Sequence, residues 1–245
     1  MEKKLHETYR EIEESHWWFV GRRNLIYGLF SRFGIRPSEK SILDVGCNTG
    51  MFVGDLQKKG FDAYGCDVSS EAIEFGTQRR VKNLRVISGP LLPIYKDNSF
   101  DVTICLDVLE HIEDDAQTLQ EINRILKPGG LLFIMVPAFQ FLWGLQDVVA
   151  HHFRRYNFDE IKKLTSDKPW MTVYKSYFNV FLFVPIYLVR LFQKVKKPKR
   201  SSDFELNTPF TNSILTKIFL AEIWCMKYFQ YPFGVSLIVV LKKNA

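Results

Sequence analysis

Between Ile42 and Phe52 the chain reads ILDVGCNTGMF, passing from apolar residues through Asp44 into a loop framed by Gly46 and Gly50. Ile42, Leu43 and Val45 have the character of a buried strand. An acid near a strand tip, followed by backbone carrying little side chain, faces a ligand. Glycine at the ends of the loop permits both the tight turn and close approach to that ligand.

The pattern extends in both directions. MFVGDLQKKG reads as a helix closed by Gly60, FDAYGCDVS as a second strand, and EAIEFGTQRR as a helix capped by Ser69 or Ser70. NLRVISG and SFDVTICLDV are a third and a fourth strand. DDAQTLQEINRILKPGG is an amphipathic helix stopped by Pro128-Gly129-Gly130, which turns the chain into the fifth strand, LLFIMVPAF. Strands alternating with helices predict an α/β fold with a parallel, doubly wound sheet, whose ligands bind beyond the carboxyl ends of the strands. Further on, Asn157 and Glu160 form a capping box, and WMTVYKSYF and GVSLIVVLKK read as two last strands. Residues 1–40 read as an aromatic-rich helical lid and residues 41–245 as the main domain, with a helical, apolar and basic insertion at about 179–232.

At 245 residues and 47% hydrophobic the chain can bury a sizeable core, which excludes a disordered chain. Cys47, Cys66, Cys105 and Cys225 show no metal-type spacing, so a reducing, cytoplasmic setting without structural zinc is expected. MEKKLHETYR has no apolar core of a signal peptide. The net charge of +6 is unevenly divided. Residues 1–150 hold 17 Lys+Arg against 21 Asp+Glu, whereas residues 151–245 hold 16 against 6. A negatively charged surface is the partner that this basic, aromatic half suits.

At the tip of strand two stands Asp67, seventeen residues after Gly50, where a carboxylate can accept both hydroxyls of a ribose. A dinucleotide site would prefer G-x-G-x-x-G, but here the middle glycine is Asn48 and Met51 follows the loop. Asp44 beneath the loop suits a cationic ammonium or sulfonium better than a pyrophosphate. These features point away from NAD and towards S-adenosylmethionine.

ILDVGCNTGMFVGDLQKKGFDAYGCDVS, SFDVTICLDVLEHIEDD and LKPGGLLFIMVPAF resemble the successive motifs of class I S-adenosylmethionine-dependent methyltransferases. The resemblance is strong from Ser41 to Phe139 and implies a Rossmann-like, seven-stranded sheet. It implies that Asp44, Gly46, Cys47, Asn48 and Gly50 hold the methionine moiety and that Asp67 and Val68 hold the ribose. Gly89, Pro90 and Leu91 would flank the adenine, and Leu106, Asp107 and Val108 would lie beneath the reacting methyl. ESHWWFVGRRN resembles the lid helix of small-molecule members, which makes Arg22 or Arg23 the partner of the cofactor carboxylate and Trp18 the cover of the pocket.

DVLEH resembles the small-molecule methyltransferases, including the O-methyltransferases of quinone biosynthesis, and lacks the Pro-Pro-aromatic motif of enzymes that methylate planar nitrogens. His111 is then the natural general base for a hydroxyl acceptor, with Asp107 and His152 as its catalytic neighbours. Some quinone-type relatives carry a Glu–Glu–His metal set here. Asp107, Glu110 and His111 could hold an ion, or equally serve the cofactor and a helix N-terminus, and no metal is assigned. HHFRRYN resembles a recurrent H-x-R-R-Y, in which Arg154, Arg155 and Tyr156 either grip an anionic acceptor or form internal salt bridges.

Ser176 to Val189 runs fourteen residues without charge, short of a membrane span, and Arg190, Lys194, Lys196, Lys197, Lys199 and Arg200 follow. This pairing suits peripheral contact with an anionic membrane through 176–200, a lid over a small-molecule or lipid-linked acceptor, or a helical pair packed on the sheet with a solvated basic loop. No RNA-binding module is recognisable, so nucleic acid is disfavoured. The rival from another class is a catalytically silent, cofactor-binding protein docked at membranes.

Overall fold

The computed structural model describes residues 12–166, 170–195 and 208–244. Seven strands form one sheet: β1 (Ser41–Val45), β2 (Asp62–Asp67), β3 (Leu84–Val86), β4 (Phe100–Leu106), β5 (Leu126–Pro137), β6 (Trp170–Phe178) and β7 (Ser236–Lys243). Their spatial order is β3-β2-β1-β4-β5-β7-β6. The chain runs outward from β1 to β3 and then returns to lay β4 against the free side of β1. That reversal between β1 and β4 is the topological switch point, where an open α/β sheet opens its ligand crevice. Val45 pairs with Cys66 on one side and Cys105 on the other. Gly46, Asp67 and Leu106 therefore leave the sheet at one level.

β7 runs antiparallel to both β5 and β6, so the sheet is mixed rather than wholly parallel. The chain reaches β7 through two helices, α7 (Phe183–Val195) and α8 (Pro209–Cys225), which return it to the end of the sheet that it left, so that Ser236 at the start of β7 pairs with Phe178 and Pro137 at the ends of β6 and β5. The remaining helices are α1 (Trp17–Arg32), α2 (Met51–Lys58), α3 (Ser70–Gln78), α4 (Asp115–Ile125), α5 (Leu145–Val149) and α6 (Phe158–Thr165). α4 ends at Ile125, earlier than its Pro-Gly-Gly terminator suggests. Leu126 is already extended and pairs with Phe100, and the bulge that follows absorbs Pro128 to Gly130. Proline disfavours helical geometry at the residue before it, so the helix stops ahead of Lys127.

Each face of the sheet has its own core, as expected when strands are covered on both sides. On one face Leu25, Ile26, Leu29 and Phe30 of α1 pack with Val53, Leu56, Phe133 and Phe219. On the other, Leu119, Ile122 and Ile125 of α4 pack with Leu43, Leu132, Ile134 and Ile161. Alternate residues of β5 thus serve opposite cores.

The N-terminal helix is locked to the insertion. Asn212 of α8 accepts from the Trp17 backbone N–H at 2.7 Å and donates to the Ser15 carbonyl at 2.8 Å. A Cβ on Gly21 would fall 2.0 Å from the Phe219 ring, so only glycine lets α1 and α8 approach this closely. Of the basic run, Lys196, Lys197, Lys199 and Arg200, together with the Lys194 side chain, lie outside the described residues. Arg190 departs from the expected solvated cluster: it is 8% exposed and turns inward. Among the described residues, no helix is long and apolar enough to cross a membrane.

Candidate active site

The strand tips open onto a cavity of about 850 Å³, bounded by α1, the glycine loop, the β4 tip and α7. That volume lies within the range of pockets that enclose whole ligands. Gly46 has φ +74°, and a Cβ there would meet Val108 at 2.4 Å. Glycine is needed both for the turn and for the closeness of the β1 and β4 tips. The Gly46 and Cys47 N–H groups donate to the Cys66 carbonyl, which fixes the loop against β2. Asn48 takes φ +50°, a conformation that asparagine tolerates, and its N–H donates to Asp67 Oδ2 at 2.7 Å. Asp67 Oδ1 accepts from Ser69 N–H at 2.9 Å. Each carboxylate oxygen keeps a second lone pair for a ligand hydroxyl.

Asp44, Gly46, Cys47, Asn48, Asp67, Val68, Gly89, Pro90, Leu106, Asp107 and Val108 all line the cavity, as do Trp18, Arg22, Arg23, His111 and His152. Gly50 does not. It turns the loop into α2 at φ +68° beneath Leu84. Leu91, expected to flank the adenine, does not line the cavity either. It is exposed, while the fully buried Leu92 faces the cavity, anchored by Leu92 N–H to Glu121 and by Arg124 to the Leu92 carbonyl.

The two arginines of α1 are in different situations. Arg22 Nη1 donates to Asp107 Oδ2 at 2.9 Å, and its Nε is buried with no hydrogen-bond partner among the described residues. Arg23 is committed to the Glu13 and Glu14 carbonyls and to Asp55. Arg22 is therefore the arginine with donor capacity left for a ligand. Asp44 is 5% exposed; burial lifts its carboxyl to about 7, with Arg22 opposing and Asp67 adding to the rise. Trp18 stacks on Phe178 and Phe219 while presenting an edge of the cavity wall.

Beyond the β4 tip, Asp107 adopts φ +57°. His111 stands 4.6 Å, ring centre to ring centre, from His152. Burial, reinforced by His152, lowers His111 to about 4, so it is neutral at physiological pH. His152 Nδ1 lies 2.9 Å from Asp147 Oδ1. Asp147 is fully buried; its burial is outweighed by His152 and by a two-point ion pair with Arg155, which hold it near 2. Glu110 is 1% exposed and raised well above the carboxylate range, by burial first and then by Asp107. Ligand atoms of Glu110, His111 and His152 lie within 4.8 Å of one another, a carboxylate and two imidazoles of the kind that can hold a divalent ion. Asp107, the other acid of that stretch, is spent on Arg22.

The arginines of HHFRRYN do not reach out to a ligand. Arg154 pairs with Asp115 at 3.0 Å and donates to the Glu113 carbonyl. Arg155 is buried on Asp147 and the Ala138 carbonyl, and Tyr156 donates to Asp115. The internal salt-bridge alternative is the one realised. Two site residues escaped the sequence reading. Glu13 lines the cavity and accepts from Thr49 Oγ1, with Arg79 on its other side. Asp147 orients His152. Neither belongs to a motif, and only tertiary packing brings them to the strand tips.

Residues 43–134 match the methyltransferase-domain family. The chain is 30% identical over 113 residues to a ubiquinone biosynthesis O-methyltransferase of Colwellia psychrerythraea, covering 44% of this chain and 45% of that protein. It is 34% identical over 99 residues to the Methylococcus capsulatus protein of the same name, covering 38% and 42%. The matches thus span less than half the length of these curated relatives. In fold, the chain is similar over 99% of its length to a chain of the Haloferax volcanii complex between the Trm112 methyltransferase activator and a methyltransferase, covering 95% of that chain, with TM-score 0.63 and 19% identity. It is also similar to Haemonchus contortus phosphoethanolamine N-methyltransferase 2, solved with phosphomonomethylethanolamine and S-adenosylhomocysteine, at TM-score 0.59 and 16% identity, over 91% of this chain and 53% of that one. The segment that carries the glycine loop, Asp67 and the β4 tip thus matches the methyltransferase-domain family, and the chain is similar there to O-methyltransferases of ubiquinone biosynthesis.

Proposed function

We propose that the protein transfers a methyl group from S-adenosylmethionine to an oxygen of a small or lipid-linked acceptor. The observation that carries this reading is the continuity of one cavity from Asp67 and Gly46, past Asp107 and His111, to an apolar chamber walled by Leu182, Pro185, Ile186 and Val189. These four residues fall at helical spacing on the N-terminal approach and first turns of α7, so one stripe of that segment faces the cavity. Asp67 would hold the ribose and Arg22 the cofactor carboxylate, with Asp44 facing the cationic centre. The sulfonium supplies an already activated methyl, so catalysis rests on alignment of acceptor and methyl in line. The acceptor oxygen forms the new C–O bond as the C–S bond breaks. Neutral His111 takes the acceptor proton, and S-adenosylhomocysteine leaves.

Delivery of an apolar acceptor from an anionic membrane surface is part of the same proposal. Val184, Leu188, Leu191 and Phe192 on α7, and Phe210 and Trp224 on α8, are exposed apolar residues. The lysine-rich sequence after α7 supplies the matching charge. Methyl transfer from labelled cofactor to catechol-type acceptors with and without an alkyl chain tests the reading. Transfer should occur and should favour the alkylated acceptor. Failure to label any hydroxyl acceptor, with the cofactor bound, would remove O-methylation.

A further inference from the structure

Asn179 directly follows β6, is 1% exposed and lines the cavity just ahead of Leu182. Both polar atoms of its amide, Oδ1 and Nδ2, are buried without a hydrogen-bond partner among the described residues. Buried amides are nearly always paired, and one left wholly unpaired calls for an explanation. The φ of +59° suits an asparagine, but a glycine would serve the turn as well and bury no amide. The turn is also held in place. Buried Glu222 of α8 accepts from the Phe181 N–H at 3.2 Å and from the Val180 and Asn179 backbone.

Strand register sets further groups beside the amide. Phe178 pairs with Ser236 of β7, and Ser236 pairs with Pro137 of β5. Asn179, Ser236 and Pro137 thus stand at adjacent strand ends, and all of them line the cavity. Ser236 is 4% exposed, and its hydroxyl can donate or accept. Trp18 stacks on Phe178 and adds an aromatic side chain to the same wall. Beyond Asn179 in the chain the wall is apolar, with Leu182, Pro185, Ile186 and Val189. Asn179 is therefore a polar point on the border of an apolar chamber. An uncharged amide, with a donor and an acceptor, suits a neutral hydroxyl, ether or carbonyl oxygen.

We infer that Asn179 determines acceptor specificity by hydrogen-bonding a second, neutral oxygen of the acceptor, one that does not receive the methyl. The inference rests on reading this cavity as the methyl-acceptor chamber, and it adds which phenolic acceptors are preferred. A ring with two oxygens fills both the methyl-receiving position and the amide. A ring with one oxygen leaves the amide buried and unpaired, and it binds more weakly by that omission.

The test is calorimetry on the full chain, first with S-adenosylhomocysteine and then, at its saturation, with 4-hexylphenol, 4-hexylcatechol and 4-hexylresorcinol. The alkyl chain is common to all of them, and only the second oxygen differs. The better dihydroxy compound should bind at least about tenfold more tightly than 4-hexylphenol, the scale on which an unpaired buried polar group is felt. Asn179→Gly keeps the left-handed turn and removes the amide. It should cut that preference to within about twofold by weakening the dihydroxy compound, with S-adenosylhomocysteine affinity unchanged. Equal affinity of the parent protein for all the phenols, or binding of none, would overturn the subsite without recourse to a variant. So would a preference that survives in Asn179→Gly, or a matching loss of S-adenosylhomocysteine affinity there, which would mark a structural role. Preferential binding without methyl transfer from labelled S-adenosylmethionine would leave the subsite standing and overturn O-methylation instead.

Discussion

If Asp44 faces the cofactor as proposed, binding should depend on pH with a sign that follows from its burial. Its carboxyl is buried under the glycine loop and titrates near 7, well above an ordinary aspartate, because burial disfavours the charge more than Arg22 restores it. Relative to water, holding it ionised costs on the order of 4 kcal/mol. A cofactor whose ammonium or sulfonium faces Asp44 selects the ionised form. The ionised fraction rises from about one tenth at pH 6 to about nine tenths at pH 8, so affinity for S-adenosylhomocysteine should rise about ninefold over that interval. Calorimetry at pH 6 and 8, in buffers of different ionisation enthalpy, reads both the affinity and the release of nearly one proton at pH 6. Asp44→Asn should bind more weakly at pH 8 and show a flat profile. The same group acts on stability with the opposite slope. A carboxyl raised in the fold stabilises fully below the unfolded value near 4, and that contribution is lost as pH rises through 7. The ligand-free Asp44→Asn protein should accordingly gain melting temperature over the parent at pH 8 but not at pH 4. An affinity for S-adenosylhomocysteine that is flat or falls between pH 6 and 8 in the parent protein would mean that ionised Asp44 does not face the ligand's cationic group.

His111→Ala should lower turnover by about 10²-fold with cofactor affinity nearly unchanged, as removal of a general base requires; equal loss of both would mark a packing role. Gly21→Ala should destabilise by about 1–3 kcal/mol in urea unfolding, because the added methyl falls inside the Phe219 ring contact. An unchanged midpoint would mean that α1 and α8 separate without cost. Liposome co-sedimentation should be strong with acidic lipids at low salt and weaken as salt rises, and replacing Lys194, Lys196, Lys197 and Lys199 by Gln, or Phe192 by Asp, should reduce it. Indifference of the parent protein to acidic vesicles removes the membrane from the proposal.

Strands one to five were legible in chain order because the apolar runs end in turn signals that act locally: Gly46 and Gly50 turn the chain into α2, Ser69 caps α3, and Gly129 turns it within β5. The direction of β7 was not legible, since pairing with β5 and β6 depends on where α7 and α8 deliver the chain and not on the strand's own pattern. The helix before β5 looked longer because Ile125-Leu126 continues its apolar spacing, whereas pairing of Leu126 with Phe100 decided otherwise. Asp44, Asp67 and Asp107 could be found because they stand at fixed places on strand tips. Arg154 and Arg155 could be misread as ligand-binding because their partners, Asp115 and Asp147, are fixed by tertiary packing rather than by the motif itself. Glu13 and Asn179 carry no motif at all, and only their burial against the cavity marks them.

If the crevice at the β1–β4 switch point is an adenosine-cofactor site, Asp67 should hold that cofactor and a dinucleotide should not bind. Calorimetric titration of the parent and Asp67→Ala proteins with S-adenosylhomocysteine and with NAD separates the two. S-adenosylhomocysteine should bind saturably, Asp67→Ala should lose about 2–3 kcal/mol, and NAD should give no heat. No heat with S-adenosylhomocysteine, full affinity in Asp67→Ala, or clear binding of NAD would contradict it.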